Sequence, residues 1–240
     1  MIKRLLGDIV IAMTNKRAQS IADRKARILA AARAIIARDG YDALTTRGLA
    51  QAAGVTVPTL YNLVGDKAAI ISAMAISSIE ELWDRLAFDR RANPLDMADA
   101  VIDEAFAQIR DDQAYSRATF IALQRLGIAF AYHPTREDAG AHAARRSVDM
   151  AAFAVRAAQR KGMLRGTLAA RDLAVQMFGT YRAALDDWLA HAIDLDEMRR
   201  RQRWGFYTTL ASDAAEDFRA ELITRLRHLT GAPNQLEEAA

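Results

Sequence analysis

Apolar residues recur every three or four positions along most of the chain, the spacing that places side chains on one face of a helix. The first clear apolar stripe consists of Ile28, Leu29, Ala32, Ile35 and Ile36. Ser20, with Asp23 three residues later, has the pattern of a capping box, and Gly40 follows the stripe as a stop signal. The pattern therefore predicts a helix that begins after Ser20 and ends near Asp39.

Further helices follow, each bounded by its own start or stop signal. Asp66 begins a helix that extends to about Arg90, and Asn93 followed by Pro94 begins one that extends to Arg110. The remaining predicted helices cover about 112–132, which a proline stops, and then 135–161, 169–193, 194–212 and 214–229. We expect residues 231–240 to form a disordered tail. The pattern predicts an all-α fold.

The composition agrees with this fold and excludes several kinds of chemistry. The 240 residues are 52% hydrophobic and contain only 12 Gly and 4 Pro, enough to bury the core of one or two helical domains. The absence of cysteine excludes disulfides, thiolate metal sites and thiol nucleophiles. No apolar run is long enough to span a bilayer, and Asp8 interrupts the apolar stretch near the N-terminus. We therefore expect a cytoplasmic protein without a membrane partner.

Two short predicted helices in the run TTRGLAQAAGVTVPTLYNLVGDK carry the residue types of a helix-turn-helix. Thr45 and Thr56 each precede a helix as a cap, and Pro58 lies in the first turn of the second helix. Gly54 permits a left-handed turn between the helices, while Ala50 lets them cross closely. A plain helical hairpin is the alternative, but it does not need all of these features together. The run therefore predicts a unit that places its second helix in the major groove of DNA.

The same region resembles the tetracycline-repressor (TetR) family of bacterial regulators. The resemblance covers about residues 24–71 and rests on RKARILAAARAIIARDGYDALTTRGLA followed by GVTVPTLYNLVGDKAAI. Leu63 and Val64 depart from the usual pattern, in which an aromatic residue or His precedes Phe. The resemblance implies an N-terminal three-helix helix-turn-helix DNA-binding domain at 21–67, after an extension at 1–20. It also implies a C-terminal helical ligand-binding and dimerisation domain at 68–230.

Four residues are candidates for contact with base edges. Arg47 is the preferred base reader, because its guanidinium can donate to guanine O6 and N7 together, although a phosphate contact is the alternative. Val57 and Pro58 offer apolar surface for a thymine methyl group, and Asn62 can bond to a base or a phosphate. We expect Val57, Pro58 and Asn62 to be exposed on the second helix, and Arg47 lies one residue into the first.

Four further residues are candidates for contact with the phosphate backbone. Thr46 offers a hydroxyl, and Lys67 offers both an ammonium and the free amides of a helix start. Thr59 and Tyr61 resemble the pair of hydroxyls that grips the DNA backbone in the family. Their alternative roles are capping by Thr59 and packing by Tyr61.

Charge is unevenly distributed along the chain. Residues 1–67 contain 11 Lys and Arg against 5 Asp, whereas the remainder contains 22 basic against 25 acidic residues. An ordinary solvated surface also explains such a bias, but the basic third coincides with the helix-turn-helix. A double-stranded DNA operator is therefore the expected partner of this third.

A recognition helix of about two turns reads few bases, so we expect a homodimer that reads a palindrome. The predicted helices at 169–193 and 194–212 match the family's dimerisation elements in place and length. Candidate interface residues on them are the small or aromatic side chains Ala184, Trp188, Trp204 and Tyr207. Ordinary core packing is the alternative for the aromatic ones.

The resemblance also implies a small-molecule effector, whose binding more commonly releases such a regulator from DNA than promotes binding. Candidate pocket residues are aromatic or adaptable side chains of the predicted second domain: Trp83, Phe106, Phe120, Phe130, Phe153, Met177, Phe178 and Tyr181. Apolar stripes at helical spacing are more often core than pocket, so core packing is the favoured interpretation of each.

An enzyme is the alternative from a different class of function. The four histidines do not have the spacing of a metal site, and the adjacent carboxylate pairs point in different directions from their helices. No nucleophile elbow, phosphate loop or nucleotide fingerprint occurs in the sequence. We therefore expect neither catalysis, nor a metal, nor a cofactor. A DNA-binding protein without any effector is a second alternative.

Overall fold

The computed structural model describes residues 2–85, 93–126, 132, 135 and 139–230, without the side chains of residues 2–17, 83, 84, 97, 139 and 140. Within these residues the helices are α1 (Ile2–Asp39), α2 (Thr46–Ala52), α3 (Val57–Leu63), α4 (Lys67–Arg85), α5 (Pro94–Asp111), α6 (Gln113–Arg125), α7 (Ala139–Arg160), α8 (Ala170–Leu189), α9 (Leu195–Ala211) and α10 (Glu216–Thr230). A short 3₁₀ turn at Tyr41–Ala43 joins α1 to α2. The chain is all-α in its described part, as the sequence predicts.

The chain forms two compact units. The first contains Met1–Ser77 together with Ala114–Gly127, so α6 is grouped with the helix-turn-helix. In this unit α1 packs against α2, α3 and the 3₁₀ turn. Its core includes aliphatic side chains that are at most 2% exposed, among them Ile28, Ala32, Ile36, Leu44, Leu49, Leu60, Ile70, Ile71 and Ala122.

Helix α1 begins much earlier than the sequence pattern predicts. The predicted start after Ser20 is wrong, because the helix extends from Ile2 through Ser20 without a break. The Ser20 carbonyl accepts a hydrogen bond from Arg24 Nε at 3.0 Å, an interaction between residues one helical turn apart. The predicted end is confirmed, since Gly40 has a φ of 80°. Its N–H donates to the Ile36 carbonyl at 2.9 Å.

The second unit contains Ser78–Gln113 and Ile128–Ala240. In it α8 packs between α7 and α9, α10 packs on α9, and α5 contacts α7 and α9. Helices α8 and α9 approach closely where Gly205 faces Thr180, since a Cβ added at Gly205 would lie only 2.6 Å from Thr180 Cβ. The absence of a side chain at Gly205 therefore sets the spacing of these two helices.

Gly205→Ala is expected to destabilise the chain by about 1–3 kcal/mol, the usual cost of forcing a methyl group into a packed helix contact. Thermal unfolding of the variant measures this loss. Gly179→Ala is the matched control, because a Cβ at that helical glycine meets no atom within 4 Å. Full stability of Gly205→Ala would show that the contact adjusts without strain, and Thr180→Ala should recover part of any loss.

A buried carboxylate joins the α7–α8 loop to the α9–α10 loop. Asp213 is 0% exposed and accepts from the N–H groups of Gly166 at 2.9 Å and Thr167 at 3.1 Å, and also from the Thr167 hydroxyl. Burial acts to raise the pKa of Asp213, but these hydrogen bonds outweigh it and hold the pKa below its usual value. A backbone bond from Ala215 N–H to the Met163 carbonyl, at 2.9 Å, supports the same junction.

Charged residues join α5 to α9 and α10. The Asp99 carboxylate, only 15% exposed, accepts from Arg225 at 2.8 Å and from the Tyr207 hydroxyl at 2.7 Å. Asp103, one turn further along α5, accepts from Arg203 at 2.7 Å. Burial raises the pKa of Asp99, and burial together with the Asp99 carboxylate raises the pKa of Tyr207 to about 12. These pairs fix both C-terminal helices on α5.

Candidate nucleic-acid interface

The helix-turn-helix is formed by local hydrogen bonds at each helix start. Thr45 Oγ1 accepts from Gly48 N–H at 3.1 Å, and Thr56 Oγ1 accepts from Thr59 N–H at 3.3 Å. Between the helices, Gly54 has a φ of 65°, as its predicted role in the turn requires. Four apolar side chains are buried beneath the turn, namely Leu49, Ala50, Ala53 and Leu60.

Sequence reasoning missed the contribution of Gly48. A Cβ at this position would lie 2.9 Å from Thr45 Oγ1, the atom that caps α2. A larger residue here would therefore push against the cap that defines the start of the helix. The available signal was the glycine three residues after a capping threonine, inside an otherwise helical run.

The outer face of α3 is open to solvent. Tyr61 is 49% exposed, and Pro58 and Asn62 are also exposed, while Val57 is half-buried. Arg47 is exposed on α2. The unit therefore presents an aromatic hydroxyl, an amide and a guanidinium to the outside, which are the groups that bind phosphates and base edges.

Two of the predicted phosphate contacts are engaged within the protein. The half-buried Thr59 hydroxyl lies 2.8 Å from the Thr56 hydroxyl, so it takes part in the cap of α3. Lys67 Nζ lies 3.8 Å from the centroid of the Tyr41 ring, a cation–π contact. Thr46 is half-buried at the start of α2.

A family model places this region among known proteins. Residues 28–74 match the model described as bacterial regulatory proteins of the tetR family. The N-terminal region of the chain is therefore similar to the tetR family over these residues. A search of curated proteins finds no significant match to the sequence.

Solved structures share the fold of this chain at low sequence identity. SmeT, the repressor of the Stenotrophomonas maltophilia multidrug efflux pump SmeDEF, has a TM-score of 0.61 at 20% identity, with 81% of this chain and 92% of SmeT covered. A putative TetR-family regulator from Rhodococcus has a TM-score of 0.59 at 19% identity, covering 78% of this chain and 99% of its own. Thermus thermophilus FadR, solved with lauroyl-CoA, has a TM-score of 0.56 at 20% identity, covering 74% and 90%.

The candidate pocket residues of this chain occupy different environments. Phe106, Met177 and Phe178 are at most 6% exposed in the second unit. Phe153 is half-buried there, whereas Phe120 is half-buried on α6 in the first unit. Phe130 and the side chain of Trp83 lie outside the described part of the chain.

One cluster in the second unit combines small side chains with aromatic ones. Phe178 packs among Ala144, Val148, Ala152 and Ala174 of α7 and α8, with Tyr132 and Tyr181 half-buried against them. Burial raises the pKa of Tyr181. Arg171 Nε donates to the Tyr132 hydroxyl at 2.8 Å, and Arg171 also pairs with Asp149 at 3.1 Å. Sequence reasoning missed Tyr132 and Arg171, because neither lies on an apolar stripe.

The four candidate dimer residues differ in solvent exposure. Ala184, Trp188 and Tyr207 are at most 4% exposed within the single chain. Their side chains therefore belong to the chain's own core. Trp204, at 38% exposed on α9, is the one of the four that remains available to a partner.

The described residues contain neither a candidate metal-ligand cluster nor a candidate membrane-spanning helix. They include no group of three or more His, Asp or Glu side chains that could hold a metal ion. Nor does any helix among them combine the length and apolar character needed to cross a bilayer.

Proposed function

We propose that this chain is a homodimeric, sequence-specific DNA-binding repressor that a small-molecule effector releases from a palindromic operator. The observation that carries the proposal is the solvent-exposed outer face of α3, with Tyr61 and Asn62 open and Arg47 exposed on the preceding helix. Such a face fits the major groove, where the guanidinium can pair with guanine and the hydroxyl and amide with phosphates or bases. A cytoplasmic location and the absence of catalysis are part of the same proposal.

Dimerisation is supported by an unpartnered face on α8 and α9. Trp204 is exposed on α9, while Gly179 and Ala183 are exposed on α8. A Cβ at Gly179 would meet no atom within 4 Å, so the surface above it is open. Small residues permit close helix approach, and an exposed tryptophan is a common interface anchor. A second copy of this face is the proposed occupant.

An effector is supported by what the structural neighbours bind. SmeT has been solved in complex with triclosan, and Thermus thermophilus FadR in complex with lauroyl-CoA. The aromatic cluster around Phe178 is the proposed location of effector contact in this chain. An effector releases the protein from DNA only if it binds the DNA-free arrangement more tightly than the DNA-bound one.

Arg47→Ala is expected to weaken binding to the operator by about 10-fold or more, because one bidentate guanine contact provides about 1–3 kcal/mol of discrimination. Fluorescence anisotropy with the DNA upstream of the gene, against a scrambled duplex at two salt concentrations, measures this loss. Arg38→Ala is the matched control, since it removes the same charge from an exposed arginine paired with Asp39 outside the helix-turn-helix.

The same assay tests the proposed function itself. A wild-type protein that binds upstream and scrambled duplexes equally at every salt concentration would refute sequence-specific regulation. A thermal-shift series with triclosan and lauroyl-CoA as first probes, extended to a broad small-molecule panel, tests for an effector. A ligand that binds the folded state raises the melting temperature. An absence of any shift would favour a DNA-binding protein without an effector.

A further inference from the structure

The 3₁₀ turn at Tyr41–Ala43 is contacted by cations from two different helices. Lys67, the first residue of α4, places its ammonium 3.8 Å from the centroid of the Tyr41 ring. Arg125, the last residue of α6, pairs with the Asp42 carboxylate at 3.3 Å. Adjacent residues of one short turn therefore bind the ends of two helices that are distant in sequence.

This turn leads directly into the helix that carries Arg47. Leu44 follows it, is 2% exposed, and donates its N–H to the Tyr41 carbonyl at 3.1 Å. Thr45, the cap of α2, comes next. A displacement of the turn would therefore move the start of α2 and, with it, the guanidinium that we assign to a base.

We propose that Tyr41, Asp42, Lys67 and Arg125 form a two-cation clamp that positions the helix-turn-helix for base readout. The inference rests on the proposed DNA-binding function and assigns Lys67 a positioning role in addition to the phosphate contact that the sequence predicts. It makes α4 and α6 the elements that set the register of α2 on DNA.

The environment of the clamp favours a positioning role over a stabilising one. Arg125 and Asp42 are 59% and 85% exposed, and ion pairs this open add little to fold stability. Burial and the neighbouring Asp42 raise the pKa of Tyr41, so its ring faces Lys67 as a neutral phenol. Arg33 also links α1 to α6, since its guanidinium lies 4.7 Å from the centroid of the buried Tyr115 ring.

The Asp42–Arg125 ion pair can be tested by the direction in which each substitution changes DNA affinity. If they act only through charge, Asp42→Asn should strengthen binding to every duplex and Arg125→Gln should weaken it, because DNA is a polyanion. The clamp predicts instead that both variants lower the ratio of operator to scrambled-duplex affinity, by roughly three- to tenfold. The charge-swapped double variant, Asp42→Arg with Arg125→Asp, should restore that ratio to within about twofold.

The contact between the Tyr41 ring and the Lys67 ammonium can be tested with a matched pair of variants. Tyr41→Phe keeps the ring and should keep the affinity ratio, whereas Tyr41→Leu should lower it as Lys67→Met does. If the Lys67 ammonium acted only as a phosphate contact, Lys67→Met would reduce the slope of log affinity against log salt by about one. The clamp predicts in addition that Lys67→Met lowers the ratio of operator to scrambled-duplex affinity. It also predicts that the effects of Tyr41→Leu and Lys67→Met on this ratio are not additive.

Hydrogen exchange of the DNA-free protein tests the clamp independently of the proposed function. Amides of residues 44–49 should exchange several-fold faster in Asp42→Asn and Arg125→Gln, with the melting temperature nearly unchanged. The control is the exposed ion pair of Arg110 with Asp196, whose neutralisation should leave these amides unaffected. A wild-type protein without operator preference would refute the proposed function, while unchanged exchange together with opposite affinity shifts would overturn the clamp.

Discussion

Asp213→Ala is expected to lower the melting temperature by roughly 10 °C. The carboxylate is fully buried and accepts two backbone N–H groups and one hydroxyl from the α7–α8 loop. Its removal leaves the part-buried donors of Gly166 and Thr167 without their acceptor, at a cost of about 1 kcal/mol for each group. A total of about 3 kcal/mol corresponds to this shift in a chain of 240 residues, where 1 kcal/mol moves the melting temperature by about 2–4 °C.

Differential scanning calorimetry of the full chain measures the shift. Asp217→Ala is the control, because this acidic residue is exposed in the first turn of α10. Asp213→Asn is nearly the same size but turns an N–H donor toward the donors of Gly166 and Thr167. It should therefore lose much of the same stability. An unchanged melting temperature in Asp213→Asn would show that shape, rather than the carboxylate, holds the two loops together.

Trp204→Glu is expected to convert the protein to a monomer and to weaken operator binding by 100-fold or more. An exposed tryptophan at the centre of an interface can provide more than 2 kcal/mol, and the glutamate would bring two like charges together across a twofold axis. The loss in DNA binding follows because each half-site alone is too short for tight recognition. Sedimentation analysis and the anisotropy assay measure the two effects on the same sample.

The control for this substitution is Ile223→Glu. Ile223 is 39% exposed on α10, almost the same exposure as Trp204, but it lies away from the proposed α8–α9 face. Gly179→Leu should reproduce the Trp204→Glu result by filling the open surface of α8. If Trp204→Glu remained dimeric while Ile223→Glu became monomeric, the partner would dock on α10 instead.

Local chemistry made the helix-turn-helix predictable. Its caps at Thr45 and Thr56 and its turn at Gly54 each depend on residues within four positions, and the structure has all three. The predicted start of α1 is wrong because a capping-box pattern inside a long helix looks the same as one at a helix N-terminus. The end of α8 was also missed. His191 adopts a φ of 59° without being a glycine, so the helix stops at Leu189 rather than at the predicted position near 193.

Long-range packing was less accessible to the sequence. The sequence indicates Trp188 and Tyr207 as candidate interface residues, but it cannot tell a chain's own core from a partner's surface. Both are buried within the chain, and Tyr207 bonds to Asp99, which lies 108 positions away. Helix α6 likewise contacts Arg33 and Asp42 of the first unit, and no local pattern encodes these contacts.

The ion pairs of Arg225 with Asp96 and Asp99 make α10 necessary for the charge balance of α5. A truncation after Ser212 would remove the α10 cation and leave the half-buried Asp99 with Arg203 and Tyr207 only. The negative charges of α5 would then exceed their nearby counterions. A shortened relative that keeps these aspartates should therefore carry a compensating arginine or lysine elsewhere, or have an uncharged residue in place of Asp99.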